Sequence, residues 1–222
     1  MLYSVLCAGS QHVLRLFLLL FALISCAPIA VADDAGDFFF TIERNNGYML
    51  GTMLARGVDP NLKEPKRGDP GLVLALREHA MKSFAVLLNA PKIDLEAQSN
   101  NGDTALMIAS YTGNLDAVTA LLDKDAEVNR PGWTALHYAA TIGDCAIVKL
   151  LLDRFAYIDA ESPNKTTPIM MAARSGQRAA VKLLMEEGAD ISLKNEQGLS
   201  ATDFAIKGGY REIAEMLQSK KH

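Results

Sequence analysis

The chain has 222 residues, 22 basic and 26 acidic, for a formal net charge of −4. That balance has no basic stripe and excludes a nucleic-acid surface built on charge. Three cysteines, two of them (Cys7 and Cys26) near the start, exclude a disulfide framework.

Residues 1–32 read as a leader. Arg15 precedes the apolar run Leu16-Phe17-Leu18-Leu19-Leu20-Phe21-Ala22-Leu23-Ile24, and Ala30-Val31-Ala32 stands before Asp33-Asp34. This is a positive start, an apolar centre and a small-residue cleavage site. The run is short for a membrane span of about 20 residues. Cleavage after Ala32 is one expectation. Leu23-Ile24-Ser25-Cys26 also fits a bacterial lipobox, which would make Cys26 a lipid-bearing N-terminus, and an uncleaved anchor is the third. All three put the rest of the chain outside the cytoplasm, periplasmic or secreted. Membrane contact is then expected only through an uncleaved leader or a lipidated Cys26.

A weak first unit follows at 33–65, with Phe38-Phe39-Phe40, then Met49-Leu50 and Met53-Leu54, then Gly57-Val58-Asp59-Pro60-Asn61. Glu64 to Gly71 is a loop by composition, read as a bulged finger tip that is solvated or contact-making. The unit at 66–98 is degenerate: Gly71 lies 33 positions before Thr104, and Phe84, Leu87 and Leu88 have helical spacing.

From residue 99 one phrase recurs, in units at 99–129, 130–161, 162–194 and 195–222. Thr104-Ala105-Leu106, Thr134-Ala135-Leu136, Thr167-Pro168-Ile169 and Ser200-Ala201-Thr202 open successive helices. Their spacings are 30, 33 and 33. Each phrase leads to a glycine (Gly113, Gly143, Gly176, Gly209) suited to the positive φ that ends a helix. A second apolar run follows at i, i+3, i+4, as in Val118-Leu121-Leu122 and Val148-Leu151-Leu152. The pattern predicts a short helix, a turn, a longer helix and a projecting finger. Neither helix can bury its apolar stripe alone, so units must stack.

This grammar resembles the ankyrin repeat. The resemblance implies an all-α solenoid of helix-turn-helix units with β-hairpin fingers. About six units are expected, the first two degenerate and the last a cap whose Lys207, Arg211, Glu212, Lys220 and Lys221 are solvated. It also implies structural roles: Thr104, Thr134 and Thr167 cap helices, and His137 hydrogen-bonds within the stack. Joined to a short leader, the repeats resemble exported bacterial ankyrin proteins. The implied function is non-catalytic protein binding in the periplasm. The alternative is a secreted or surface effector that binds a host protein, and an enzyme is least supported. Under eukaryotic secretion, Asn164-Lys165-Thr166 would be a glycosylation acceptor.

Catalysis by His137 would need a nucleophile or orienting carboxylate in reach, and no phrase supplies one. His12, His79, His137 and His222 are scattered and the cysteines are unpaired. No cofactor, metal, nucleic acid or small-molecule ligand is therefore expected. Cys145 reads as a half-buried small hydrophobe or as a reactive thiol.

In this family, fingers and first-helix ends line a groove. The corresponding finger positions include Asn101, Asp103, Arg130, Asn164, Gln197 and Leu199; the helix-end positions include Tyr111, Ile142 and Arg174. The finger after Val128-Asn129 lacks three residues, which notches the groove at Arg130-Pro131-Gly132. Trp133, the only tryptophan, follows this notch. It either packs against the neighbouring finger or anchors a partner in one patch with Tyr111, Ile142 and Arg174.

Overall fold

The computed structural model describes residues 34–219, so the leader and Cys26 lie outside the described residues. Twelve helices occur among them: α1 (Asp34–Glu43), α2 (Gly47–Ala55), α3 (Gly71–Arg77), α4 (Met81–Leu88), α5 (Ala105–Tyr111), α6 (Leu115–Leu122), α7 (Ala135–Ile142), α8 (Cys145–Asp153), α9 (Pro168–Arg174), α10 (Arg178–Glu186), α11 (Ala201–Lys207) and α12 (Arg211–Ser219). Each of the six expected units holds two of them. Among the described residues, those from Phe38 onward form one compact unit.

The first helices of successive repeats pack in a row, α3 on α5, α5 on α7, α7 on α9 and α9 on α11. The second helices form another row, α6 on α8 and α8 on α10, in looser contact. Composition explains the difference. In α5 every residue from Ala105 to Ser110 is buried, with alanines allowing close approach between neighbouring helices. In α6 only Ala117, Val118, Leu121 and Leu122 are buried, a single stripe facing the first row.

The helix starts follow the repeated phrase. Thr104 Oγ1 accepts a hydrogen bond from the Met107 amide, and Ser200 Oγ from that of Asp203. Gly113, Gly143, Gly176 and Gly209 all have positive φ, between 68° and 80°. The positive φ is what calls for glycine at Gly143; a Cβ there would also displace the Gln177 side-chain amide.

The second repeat shifts the expected register by one. Pro70, not Gly71, is the N-cap of α3 and stands where Thr104 stands in the next repeat. His79, at φ 52°, consequently takes the place of Gly113. Asn45 takes it one repeat earlier at the same φ, and its Oδ1 accepts from the Lys82 and Ser83 amides at the start of α4.

The fingers are turns and not the expected β-hairpins. Among the described residues the only bridge outside helices is an isolated antiparallel pair, Lys63 with Pro70. Two backbone bonds close each of three other tips: Ser99 N to Asp103 O, Ser162 N to Thr166 O and Asn195 N to Leu199 O, each 3.0 Å, and inside them Gly102 N to Ser99 O, Lys165 N to Ser162 O and Gly198 N to Asn195 O. The amides inside these tips turn to Ser99 Oγ, Ser162 Oγ and Asn195 Oδ1, which breaks any strand ladder.

A second ladder joins the turns behind the second helices. Asn129 donates to Phe155 O at 2.7 Å and accepts from the Tyr157 amide at 2.8 Å. Asn61 makes the same pair of bonds with Lys92 O and the Asp94 amide. Asp159 accepts from Asp190 N at 3.0 Å. Glu96 does the same for the Glu127 amide at 2.8 Å, so one polar side chain per turn fixes the offset between repeats.

Candidate protein-binding groove

His137 and Thr134 form the clasp that the ankyrin resemblance implied. The Thr134 amide donates to His137 Nδ1 at 3.2 Å, so Nδ1 is an acceptor, and Thr134 Oγ1 lies 2.9 Å from the same nitrogen. Nε2 must then carry the proton and donate it to Thr166 O, 2.9 Å away in the next finger. Burial pushes the His137 pKa down to about 4. Met170, at the same position one repeat later, offers Thr167 only a sulfur at 3.4 Å. The imidazole is occupied in holding two repeats together.

The groove face carries two concavities. The larger, about 540 Å³, lies between the last fingers and α9 and α11; Trp133, Arg174, Asn195, Leu199, Phe204 and Lys207 are among its walls. The smaller, about 200 Å³, is lined by Tyr111, Trp133, His137, Tyr138, Thr141 and Met171. Trp133 belongs to both. Its ring is half-buried and meets the His137 ring edge-on, with centroids 5.2 Å apart. Tyr111 meets Tyr138 in the same way at 5.8 Å.

Three of the expected patch residues are therefore brought to this face: Tyr111 and Arg174 flank Trp133. Ile142 is not. It sits at the far end of α7, with its Cδ1 turned toward Gly113 in the preceding repeat. Among the finger residues, Asn101 is exposed at its tip. Asp103 is buried: Arg77 Nη2 lies 2.7 Å from its Oδ2, and the Tyr138 hydroxyl donates to its Oδ1 at 2.5 Å. It ties three repeats together and is not free to meet a partner. Burial and this bond to Asp103 push the Tyr138 phenol well above its ordinary range. Arg130 folds back toward Glu96 at 3.8 Å with its side chain only 16% exposed, so the short finger projects no charge.

The Glu64 to Gly71 loop is solvated at its tip, Pro65 to Arg67, but buried at its base. Asp69 is fully buried, and the Nε atoms of Arg67 and Arg77 both lie 3.1 Å from its Oδ2. Glu64 accepts from the Lys66 amide at 2.8 Å and from the Arg67 amide. Cys145 is half-buried with its Sγ 3.7 Å from Gly143 O.

Sequence reading missed Tyr138, Met171, Phe204 and Lys207 as groove residues. Repeat phase could have found them. Tyr138, Met171 and Phe204 recur at 33-residue steps, and so do Thr141, Arg174 and Lys207. Lys207 is thus the counterpart of Arg174 on the next helix, not merely a solvated cap. Among the described residues no three His, Cys, Asp or Glu side chains gather as a metal site, and no helix is long and apolar enough to cross a membrane.

A profile of three ankyrin repeats matches residues 39–132, 72–162 and 136–222. The chain belongs to the ankyrin-repeat family. It is 29% identical over 156 residues to the human transient receptor potential cation channel subfamily A member 1, a match covering 64% of this chain and 14% of that protein. It is 37% identical over 90 residues to the mouse protein fem-1 homolog A-like, covering 39% of this chain and 14% of the relative. Against the E3 ubiquitin-protein ligase Ufd4 of Drosophila melanogaster the figures are 33% over 99 residues, 44% of this chain and 4% of the ligase. The chain spans a small fraction of these animal proteins, and the matched part is the repeats. Ankyrin repeats generally mediate protein–protein interaction without catalysis.

Proposed function

We propose that this ankyrin-repeat chain is a non-catalytic binding module of the bacterial periplasm, which presents its finger and first-helix face to a protein partner as stabiliser, inhibitor or scaffold. The observation that carries this reading is the pair of adjoining concavities that share Trp133. Exposed Tyr111 and Arg174 flank that indole, and Trp, Tyr and Arg are the residue types that dominate binding energy. The surface is set on packed helices, so little ordering entropy opposes docking. The periplasmic assignment rests on the leader pattern of residues 1–32, and fractionation of expressing cells tests it separately.

The functional test is capture. The full chain immobilised on a resin should retain a partner from periplasmic extract, and Trp133→Ala should lose it while melting within a few degrees of the parent. Retention by the variant, or steady turnover of a substrate by the purified protein, would remove this reading.

A further inference from the structure

The larger concavity has an uneven charge. Its walls include Arg174 and Lys207 and no carboxylate, in a chain with net charge −4. Both cations are exposed, and neither has an ion-pair partner among the described residues. Other basic side chains nearby do: Arg178 reaches Glu212, Lys182 reaches Glu186 and Arg211 reaches Glu215. The α11 carboxylate, Asp203, is occupied by its own N-cap, accepting from Ser200 N at 2.8 Å and Ser200 Oγ at 2.6 Å. Asp203 keeps its charge and acts on Lys207 at longer range, but neither Lys207 nor Arg174 is held in a direct ion pair where they line the concavity with Trp133 and Phe204.

The adjoining smaller concavity is aromatic and uncharged apart from the neutral, occupied His137. The two lie along one line of the stack, because Tyr138 is on α7, Met171 and Arg174 are on α9, and Lys207 ends α11. Packed helices are about 8–10 Å apart. The step from the aromatic pocket to the two cations is then one or two such spacings, or about three to six residues of extended chain at roughly 3.3 Å each. Gln197 and the side-chain amide nitrogen of Asn164 border the same path and can pair with a peptide backbone, whereas Asn195 is buried with its Oδ1 held by its own finger tip.

We propose that the groove takes an extended acidic peptide segment, with one apolar side chain in the pocket walled by Tyr111, Trp133, Tyr138 and Met171, and carboxylates a few residues away on Arg174 and Lys207. This rests on the groove reading above and specifies its partner chemistry. It selects against basic segments, which would leave both cations facing like charge.

Trp133, as the only tryptophan, reports directly on the site. The full chain is titrated with a short synthetic peptide carrying one leucine and a run of glutamates about three to six residues from it, in both orders. A copy with lysine in place of glutamate and heparin serve as comparisons. The glutamate peptide should change Trp133 emission saturably. Its binding should weaken roughly tenfold in Arg174→Ala/Lys207→Ala and fall further with added salt, with melting unchanged. Equal binding of the lysine peptide, an unaffected double variant, or response to heparin but not to the glutamate peptide overturns the proposal. If no peptide binds while Trp133-dependent capture from extract persists, the acidic assignment alone falls. Loss of both removes the groove reading as well.

Discussion

At the scale of single residues, His137 couples the stack to pH. Burial disfavours the charged ring, and a protonated Nδ1 would have to give up the Thr134 amide for the Thr134 hydroxyl. The unfolded side chain titrates near 6.5 and the folded one near 4. Between those values the unfolded chain binds the extra proton, so stability is complete above pH 6.5 and declines as pH falls toward 4. The shift corresponds to an upper limit of about 3 kcal/mol. Urea unfolding at pH 7.5 and 4.5 should show this loss in the parent and a smaller one in His137→Met, the residue type that Met170 places there naturally. Equal losses would mean that carboxylates alone set the acid limit. Phe155 carries a different cost. It sits at φ 66° with its ring 84% exposed, where the corresponding turn of the next repeat uses Gly188 at φ 97°. A bulky residue in that region costs about 1–2 kcal/mol, partly offset by the entropy that glycine loses on folding. Phe155→Gly should therefore raise stability by about 0.5–1 kcal/mol, read as a higher melting temperature.

At the scale of elements, the chain is held by polar ties that cross repeat boundaries. Asp69 meets Arg67 in its own finger and Arg77 on α3; Arg77 goes on to Asp103, and Asp103 to Tyr138 on α7. Removing one member of a buried charge pair leaves the other uncompensated, commonly at about 3–5 kcal/mol. Both arginines reach solvent, which lowers the expected loss for Asp69→Ala to about 2 kcal/mol. Tyr138→Phe removes a single bond to a carboxylate and should cost about 1.5 kcal/mol. Denaturant midpoints of the two single variants and their double form would show coupling between them if the network is continuous. None of these ties was legible beforehand. Asp103 and Tyr138 are 35 positions apart, so no local pattern links them. The helices were legible, because apolar spacing and an N-capping hydroxyl act within one turn. The register of the second repeat was not: Pro70 caps α3 without a hydroxyl and removed the marker that aligned the others. Fingers read as hairpins became turns because Ser99, Ser162 and Asn195 bond their own tips, a competition that hydrophobic pattern does not report.

At the scale of the whole stack, the packed pairs are neighbours only, within a repeat or between adjacent ones. Stability then resembles a sum of repeat and interface terms, and opening proceeds from exposed interfaces. The helix α12 presents Arg211 and Glu212, with side chains 89% and 83% exposed, and is buried through Ile213, Ala214 and Leu217. Amide hydrogen exchange should therefore be slowest in α5, α7 and α9 and faster in α12. Uniform protection along the stack would show instead that it opens as one cooperative block. The fold class was readable at this scale because one period governs most of the chain. The binding surface was readable only in part: the ankyrin resemblance pointed to Arg174 and Trp133, while the inward fold of Arg130 and the burial of Asp103 depend on contacts that only the folded stack makes.

The shortened finger between Asn129 and Gly132 has a practical consequence. Rows of helices separated by 30 residues and by 33 residues pack alike, so the length of this loop is decoupled from the scaffold beneath it. The gap is a natural graft point: foreign sequences spliced after Arg130 would be displayed next to the indole without disturbing the architecture, and a randomised insert there would turn the molecule into a library for selecting new binders.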